Sequence, residues 1–420
     1  MNPFAQQDLD RIEAERVQAW SMPLAAIDPA DRRLFEENAL FPYFERLRRE
    51  DPVHYHEASY AGQFWSITRY DDIRAIDQNH AVFSSEPSVT FAEGDVTQAN
   101  FITMDQPRHH QQRKAVAPVT GPTNLAAMQD LIRARVCVIL DDLPIGQPFS
   151  WVDRVAIELT TQMLATLFDF PWEQRRKLTR WSDVATSSTD SGVNESKASR
   201  QAELQECYDT FRALWEARKD DPSGNDLLSL LLRSEDTRYM SPTEFFGNVI
   251  LLIVGGNDTT RNSITGGVLA LNQYPEEFEK VKANPKFIPN MVSEIIRWQT
   301  PVNYMRRTAL ADFELHGNTI RAGDRVAMWY VSGNRDETVF DHAHDLQIDR
   351  PNARSHLSFG YGIHRCMGNR LAEMQLRILW EELLARFDSI ELASLPYRYR
   401  SNLIRGYREM YVELRAKARG

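Results

Sequence analysis

Cysteine is scarce in this chain: Cys137, Cys207 and Cys366 are the whole supply in 420 residues. An odd number of widely separated thiols builds no disulfide framework. That points to a reducing cytoplasm, and the absence of a closely spaced pair argues against a zinc site. Long apolar runs are missing too. The opening segment MNPFAQQDLDRIEAERVQAW carries charges throughout, so it offers neither the apolar centre of a signal peptide nor a membrane span. Basic charge is in deficit: 49 Lys and Arg stand against 59 Asp and Glu, for a formal net charge of −10. Such a balance excludes nucleic acid as a main partner, because phosphate binding needs a basic surface. Internal repeats and low-complexity blocks are absent as well.

What is present reads as a globular protein, 42% apolar and 26% charged. Strand-like runs are short: VHYHE and FWSITRY near the start, and RVAMWYV at residues 325–331. Helical patterns dominate from residue 122 to 298. The most polar stretch, SSTDSGVNESKASR at residues 187–200, reads as a mobile loop between helices. The expected architecture is mainly α with a small early β region, in a single domain spanning residues 1–420.

A long central helix is expected from Pro242 to Tyr274. SPTE supplies an N-cap serine, a proline in the first turn and an acid at the third position. VILLIV at residues 249–254 is apolar on every face, which predicts burial all round. GGNDTT at residues 255–260 then interrupts the helix. Glycines and threonines there are locally costly, which marks either function or the close approach of a neighbouring helix.

Cys366 lies in FGYGIHRCMG, residues 359–368. A buried structural thiol is the ordinary fate of a lone cysteine. A dinucleotide finger fails, since Arg365 stands where its last glycine belongs. A nucleophile would need a partnered base, and His364 is too near in sequence to reach back. The remaining chemistry is a thiolate ligand to a planar cofactor. Gly360 and Gly362 allow a tight bend and close approach to a flat ring, and Gly368 permits packing after the ligand. The following NRLAEMQLRILWEELL is a helix with Ala372, Leu376, Leu379 and Leu383 on one face. Its N-terminal amides and dipole favour a thiolate at Cys366. An anionic sulfur suits an axial haem ligand that pushes electron density towards O–O cleavage.

FGYGIHRCMG resembles the haem-binding signature of the cytochrome P450 superfamily, with Phe359, Gly360, Gly362, His364, Cys366 and Gly368 all matching. Further signatures follow in order. EIIR (Glu294, Arg297) resembles the E-x-x-R of the helix that braces the haem core. GGNDTT resembles the oxygen-activation motif, and NRDETVF the segment leading to the meander. HHQQR places His109 and Arg113 like the H-x-x-x-R that meets the haem propionates. The meander's usual proline is missing from FDHAHDLQIDR. FPWEQRRKLTRWSDV, LLIVGGNDTTRNS, SEIIRWQTP, MRRTA, MWYVSGNRD and GNRLAEMQLRILWEELL closely resemble the soluble bacterial terminal alkane and fatty-acid hydroxylases. That likeness runs over residues 51–384 and fades in the loop at residues 86–100, which covers the substrate in this superfamily.

The resemblance implies a cytochrome P450 fold, with haem b held between the long central helix and the cysteine loop and ligated through its iron by Cys366. His109, Arg113, Arg307 and His364 match positions that hold propionates, Arg307 being preferred to Arg306 for its place before Thr308 and Ala309. Charged donors to carboxylates make short, strong bonds. Gly255, Phe359 and Gly368 complete the cofactor set. Glu294 and Arg297, three apart on one helix face, are structural, with Arg350 as a third partner. Asp258 and Thr259 are the catalytic pair. The Thr259 hydroxyl holds water and satisfies a carbonyl near Gly255, and Asp258 feeds protons from solvent. Leu251, Leu252, Val254, Val302 and Met305 are expected to line an apolar substrate site. A fatty acid would need a distant cation, from Arg405 or from the loop at residues 86–100.

Too few residues follow Cys366 for a flavin or iron–sulfur domain, so no fused reductase is expected. Electrons would come from NAD(P)H through a ferredoxin reductase and an acidic ferredoxin docking near Arg108, Lys114 and Arg365. A monomer is expected. The reaction implied is insertion of one oxygen atom from O2 into the terminal C–H of medium-chain n-alkanes or fatty acids. The alternatives are a peroxide-driven fatty-acid peroxygenase, which would lack the acid–threonine pair, and a non-catalytic haem protein. His342 and His344 read as a solvated loop rather than a metal site.

Overall fold

The structure, a computed structural model, describes residues 1–91, 99–187 and 191–417. Eight helices position the site: α1 (Tyr70–Gln78), α2 (Arg108–Val116), α3 (Pro122–Asp141), α4 (Glu158–Phe168), α5 (Arg176–Thr186), α6 (Pro242–Gln273), α7 (Ile288–Gln299) and α8 (Asn369–Arg386). Strands β1 (Val53–His56), β2 (Phe64–Ile67), β3 (Phe83–Ser84), β4 (Met305–Ala309) and β5 (Arg325–Met328) form one sheet in the order β1-β2-β5-β4-β3. Only β2 and β5 run parallel. β structure is not confined to the start of the chain. Phe387–Leu392, Tyr411–Ala416 and Phe149–Ser150 make a second sheet at the carboxy-terminal end.

α6 is the axis of the molecule. It begins with a reciprocal cap: the Glu244 amide donates to Ser241 Oγ at 3.2 Å and the Ser241 amide to Glu244 Oε2 at 3.3 Å. α4, α5, α7 and α8 pack around it. The main apolar core gathers there, including Leu164, Trp181, Ile253, Ile264, Val268, Ile295, Leu379 and Trp380. No helix among the described residues is long and apolar enough to cross a membrane.

Three expectations need correction. α6 is not interrupted at residues 255–260 but continues as one helix of 32 residues, because packing on its flanks outweighs the local cost of the glycines. Nor is it buried all round. Val249 and Ile253 are buried, but Ile250, Leu251, Leu252 and Val254 are only partly covered and Gly255 is exposed. Finally, the polar stretch at residues 187–200 ends in regular structure: Ser196 caps the helix Lys197–Arg218 by accepting from the Ser199 amide at 3.0 Å. Residues 188–190 of that stretch lie outside the described residues.

Candidate active site

The cysteine loop is bent by Gly360 and Gly362 at φ of +65° and +66°, values that side chains rarely adopt. The second glycine has a further reason. A Cβ there would lie 2.5 Å from the carbonyl oxygen of Asp77, so the loop rests directly on the end of α1. The Cys366 amide closes the bend by donating to Phe359 O at 2.8 Å. α8 starts three residues later, as expected. Cys366 is exposed, unlike buried Cys207 and half-buried Cys137. Burial nevertheless dominates its titration and pushes the thiol up. Backbone amides of Gly368 and Asn369, with Arg113 and Arg365, pull the other way and favour the thiolate.

Four of the predicted residues gather beside this loop. The His109 and His364 rings lie 4.1 Å apart. Both ring nitrogens of His109 and Nδ1 of His364 are buried with no hydrogen-bond partner among the described residues. Burial, reinforced by Arg113 and Arg307, holds His109 down to about 4 and His364 to about 2, so both are neutral. Arg113 donates through Nη2 to Arg365 O at 2.6 Å. Arg307 donates to its own neighbour's carbonyl at Arg306 and to Asp77 Oδ1 at 2.7 Å. The register of β4 against β5 explains why Arg307, rather than Arg306, belongs to this group. Consecutive strand residues point to opposite faces, and Arg306 is turned to Ser88 O at 3.2 Å. Sequence reasoning missed Ser85, whose Oγ lies 2.9 Å from His364 Nε2. No motif marks it, since it reaches His364 from the residue just after β3, across 279 residues of separation.

On α6 the two glycines part company. A Cβ at Gly256 would meet Leu164 Cδ2 at 2.7 Å, the close helix approach anticipated above, whereas one at Gly255 meets nothing within 4 Å. Thr259 Oγ1 donates to Gly255 O at 3.0 Å, as expected. Leu251, Leu252 and Val254 are half-buried on this stretch. Val302 and Met305, also half-buried, stand on other elements, Val302 in a bridge with Ile404.

Asp258 is turned from Thr259 towards α5. Its Oδ1 accepts from Asn257 at 3.0 Å and Arg261 at 2.8 Å, and its Oδ2 from Thr186 at 3.4 Å. Arg261 also donates to half-exposed Asp183 at 2.8 Å. Burial pushes Asp258 up to about 6 against the pull of Arg261. A small cleft of about 20 Å³ is lined by Asp183, Thr186, Asp258, Arg261 and Tyr399. That is room for one water. Nε and Nη1 of Arg261 are buried with no hydrogen-bond partner among the described residues. The i, i+3 spacing of Asp258 and Arg261 was visible in the sequence as the signal for this pair.

Glu294 and Arg297 form a bidentate pair at 2.7 and 2.8 Å, and Arg350 Nε reaches Glu294 at 2.9 Å, all buried. The two arginines donate to carbonyls of Asn334, Asp341, His342, Ala343 and Asp345. These bonds shape the meander without its usual proline. Arg405 is buried and spent on Trp298 O, Gln299 O and Asn38 Oδ1, so it does not stand free to anchor a carboxylate. Arg108, Lys114 and Arg365 are exposed. Arg108 is already paired with Glu244 at 2.5 Å. Among the described residues no cluster of three metal-ligating side chains occurs, and His342 and His344 are loop residues beside acids.

The donor set fits haem. An accessible sulfur at a helix start, two arginines, two neutral histidines with unpartnered nitrogens and an open glycine face suit a flat group bearing carboxylates and a metal.

The sequence profile of the cytochrome P450 family matches residues 127–396. Linalool 8-monooxygenase of Pseudomonas putida is 33% identical over 91% of this chain and 97% of its own. The methyl-branched lipid omega-hydroxylase of Mycobacterium bovis is 32% identical over 88% and 90%. Among solved structures, cytochrome P450-153 from Novosphingobium aromaticivorans aligns with a TM-score of 0.85 and 42% identity, covering 92% of this chain and 99% of its own. CYP153D17 from Sphingomonas sp. gives 0.86 and 44% over 92% and 98%. With matches in sequence and fold over about nine-tenths of its length, and with the cysteine loop in place, the chain belongs to the cytochrome P450 family of haem monooxygenases.

Proposed function

We propose that this enzyme hydroxylates the terminal carbon of medium-chain n-alkanes, with the corresponding fatty acids as poorer substrates. One observation favours the alkane: neither expected carboxylate anchor is available. Arg405 is committed to backbone carbonyls, and the loop at residues 86–100 contains no Lys, Arg or His. The apolar residues Leu251, Leu252 and Val254 flank the open face at Gly255. Each buried methylene contributes about 0.8 kcal/mol, so about ten of them hold a chain with no polar contact. A terminal C–H is stronger than its neighbour, so regiochemistry rests on a channel that presents only the methyl.

Bound haem supplies the activation of O2 and the attack on C–H. In this reading Cys366 would ligate its iron, and Arg113, Arg307, His109 and His364 would meet its carboxylates, with Phe359, Gly255 and Gly368 completing the seat. Thr259 Oγ1 spends its proton on Gly255 O, which leaves its lone pairs to hold a water. Asp258 takes protons from the Asp183 cleft. To reach Thr259, its carboxyl must turn away from Arg261, and its raised pKa keeps it protonatable near neutrality. The enzyme is proposed to act in the cytoplasm with a separate ferredoxin and NAD(P)H-dependent reductase. The acid–threonine pair counts against a peroxygenase.

Optical titration of the ferric protein tests the reading. Dodecane should shift the Soret band from low to high spin and dodecanoic acid should do so weakly, with 1-dodecanol as the turnover product. A shift with the acid alone would make the enzyme a fatty-acid ω-hydroxylase. No shift with either would remove the terminal-hydroxylase reading.

A further inference from the structure

Asp77, at the end of α1, is a buried carboxylate that the site described above does not use. Its Oδ1 accepts from Arg307 Nη2 at 2.7 Å. Its Oδ2 accepts from Tyr330 Oη at 2.9 Å and from the Tyr361 amide at 2.8 Å. One side chain therefore holds a β4 guanidinium and the cysteine loop together, across more than 200 residues of separation on either count. Its backbone does the same: the Asp77 carbonyl is what forbids a side chain at Gly362. Arg74, one turn earlier on α1, holds the other end of Tyr361 by donating to its hydroxyl at 2.9 Å. Arg307 keeps three of its five N–H donors without an acceptor among the described residues.

We propose that Asp77 is a positioning residue of the haem site, which aims Arg307 at a haem carboxylate, offsets part of its charge and fixes the turn that carries Cys366. The proposal rests on the haem-thiolate reading. Its chemistry is specific to a carboxylate. Donors arrive on both oxygens, so an amide satisfies one side only and turns its NH2 towards a donor on the other. An ionised Asp77 also cancels one of the two guanidinium charges beside the cofactor. Adding an electron to the site is easier the more positive its surroundings.

Asp77→Asn should raise the reduction potential of the haem-loaded protein and speed haem transfer to a scavenger apoprotein about tenfold, the effect of losing a hydrogen bond to a charged group. Arg307→Gln should lower the potential, and the double variant should return close to the wild type. Tyr330→Phe, which removes one bond and no charge, should leave the potential unchanged. If Asp77→Asn fails to fold, Asp77→Ser carries the same charge test without the misplaced amide. Unchanged potential and haem loss in the Asp77 variants, or shifts of the same sign in both single charge variants, would overturn the proposal. Absence of a Soret band in the wild type would instead overturn the haem reading beneath it.

Discussion

Glu294, Arg297 and Arg350 form one polar cluster, fully buried; His109, Arg113, Arg307 and His364 form another, partly buried. The first is closed on itself, with both carboxylate oxygens paired and the remaining arginine donors spent on meander carbonyls. The second keeps three ring nitrogens without partners among the described residues and two cations beside them. Burial of polar groups is costly unless they are bonded, so a closed cluster is a brace and an open one awaits a ligand rich in acceptors. The contrast separates scaffold from site without reference to motif.

The largest expected effect lies in the closed cluster. Glu294→Ala should cost about 3–5 kcal/mol, because it strands two buried guanidiniums. Urea unfolding of the haem-free protein measures it, and a loss below about 1 kcal/mol would show the brace to be redundant.

The neighbouring glycines of α6 sharpen the same distinction on a smaller scale. Gly256→Ala should destabilise by about 1–3 kcal/mol, since its methyl meets Leu164. Gly255→Ala should be neutral or stabilising by up to about 1 kcal/mol through helix propensity. It should also weaken the alkane-induced spin shift by placing a methyl on the open face. Thermal melts and the optical titration read the two effects separately.

His109→Phe tests the open cluster. The haem-free protein should gain roughly 1 kcal/mol by losing two unpartnered nitrogens, while haem affinity falls. A haem-free variant less stable than the wild type would mean that His109 is scaffold.

The last effect is read as a slope. The folded-state pKa of Asp258 lies at about 6, above its ordinary 3.8. Between those values the folded state binds more protons than the unfolded one, so this group's contribution to stability declines as pH rises through that window. Asp258→Asn should remove the slope, as read from urea midpoints at about pH 4 and about pH 7. An unchanged slope would assign it to another group.

Local chemistry made much of this legible. Ser241 and Glu244 announced the start of α6, and Gly360 and Gly362 announced the bend before Cys366. Residues 109, 113, 307 and 364 were drawn from the family resemblance, and the fold does bring them together. Other features were hidden by distance along the chain. Asp77, Ser85 and Asp183 carry no motif. Each matters only because β3, α1 or α5 folds against a partner far away in sequence. Arg405 failed as an anchor for a similar reason: a lone arginine reads as a cation, and only its neighbours show that it is spent on carbonyls.

By itself, then, the sequence determined the class of chemistry, because a thiol set among glycines at a helix start is a short-range pattern whose meaning survives without the rest of the chain. The three-dimensional fold decided which charges are open and which are closed, which glycine gives way to a neighbouring helix and which faces open space, and which acid holds Arg307. Those properties depend on partners brought together by packing, and hydrogen-bond satisfaction in a buried site is a sum over all of them.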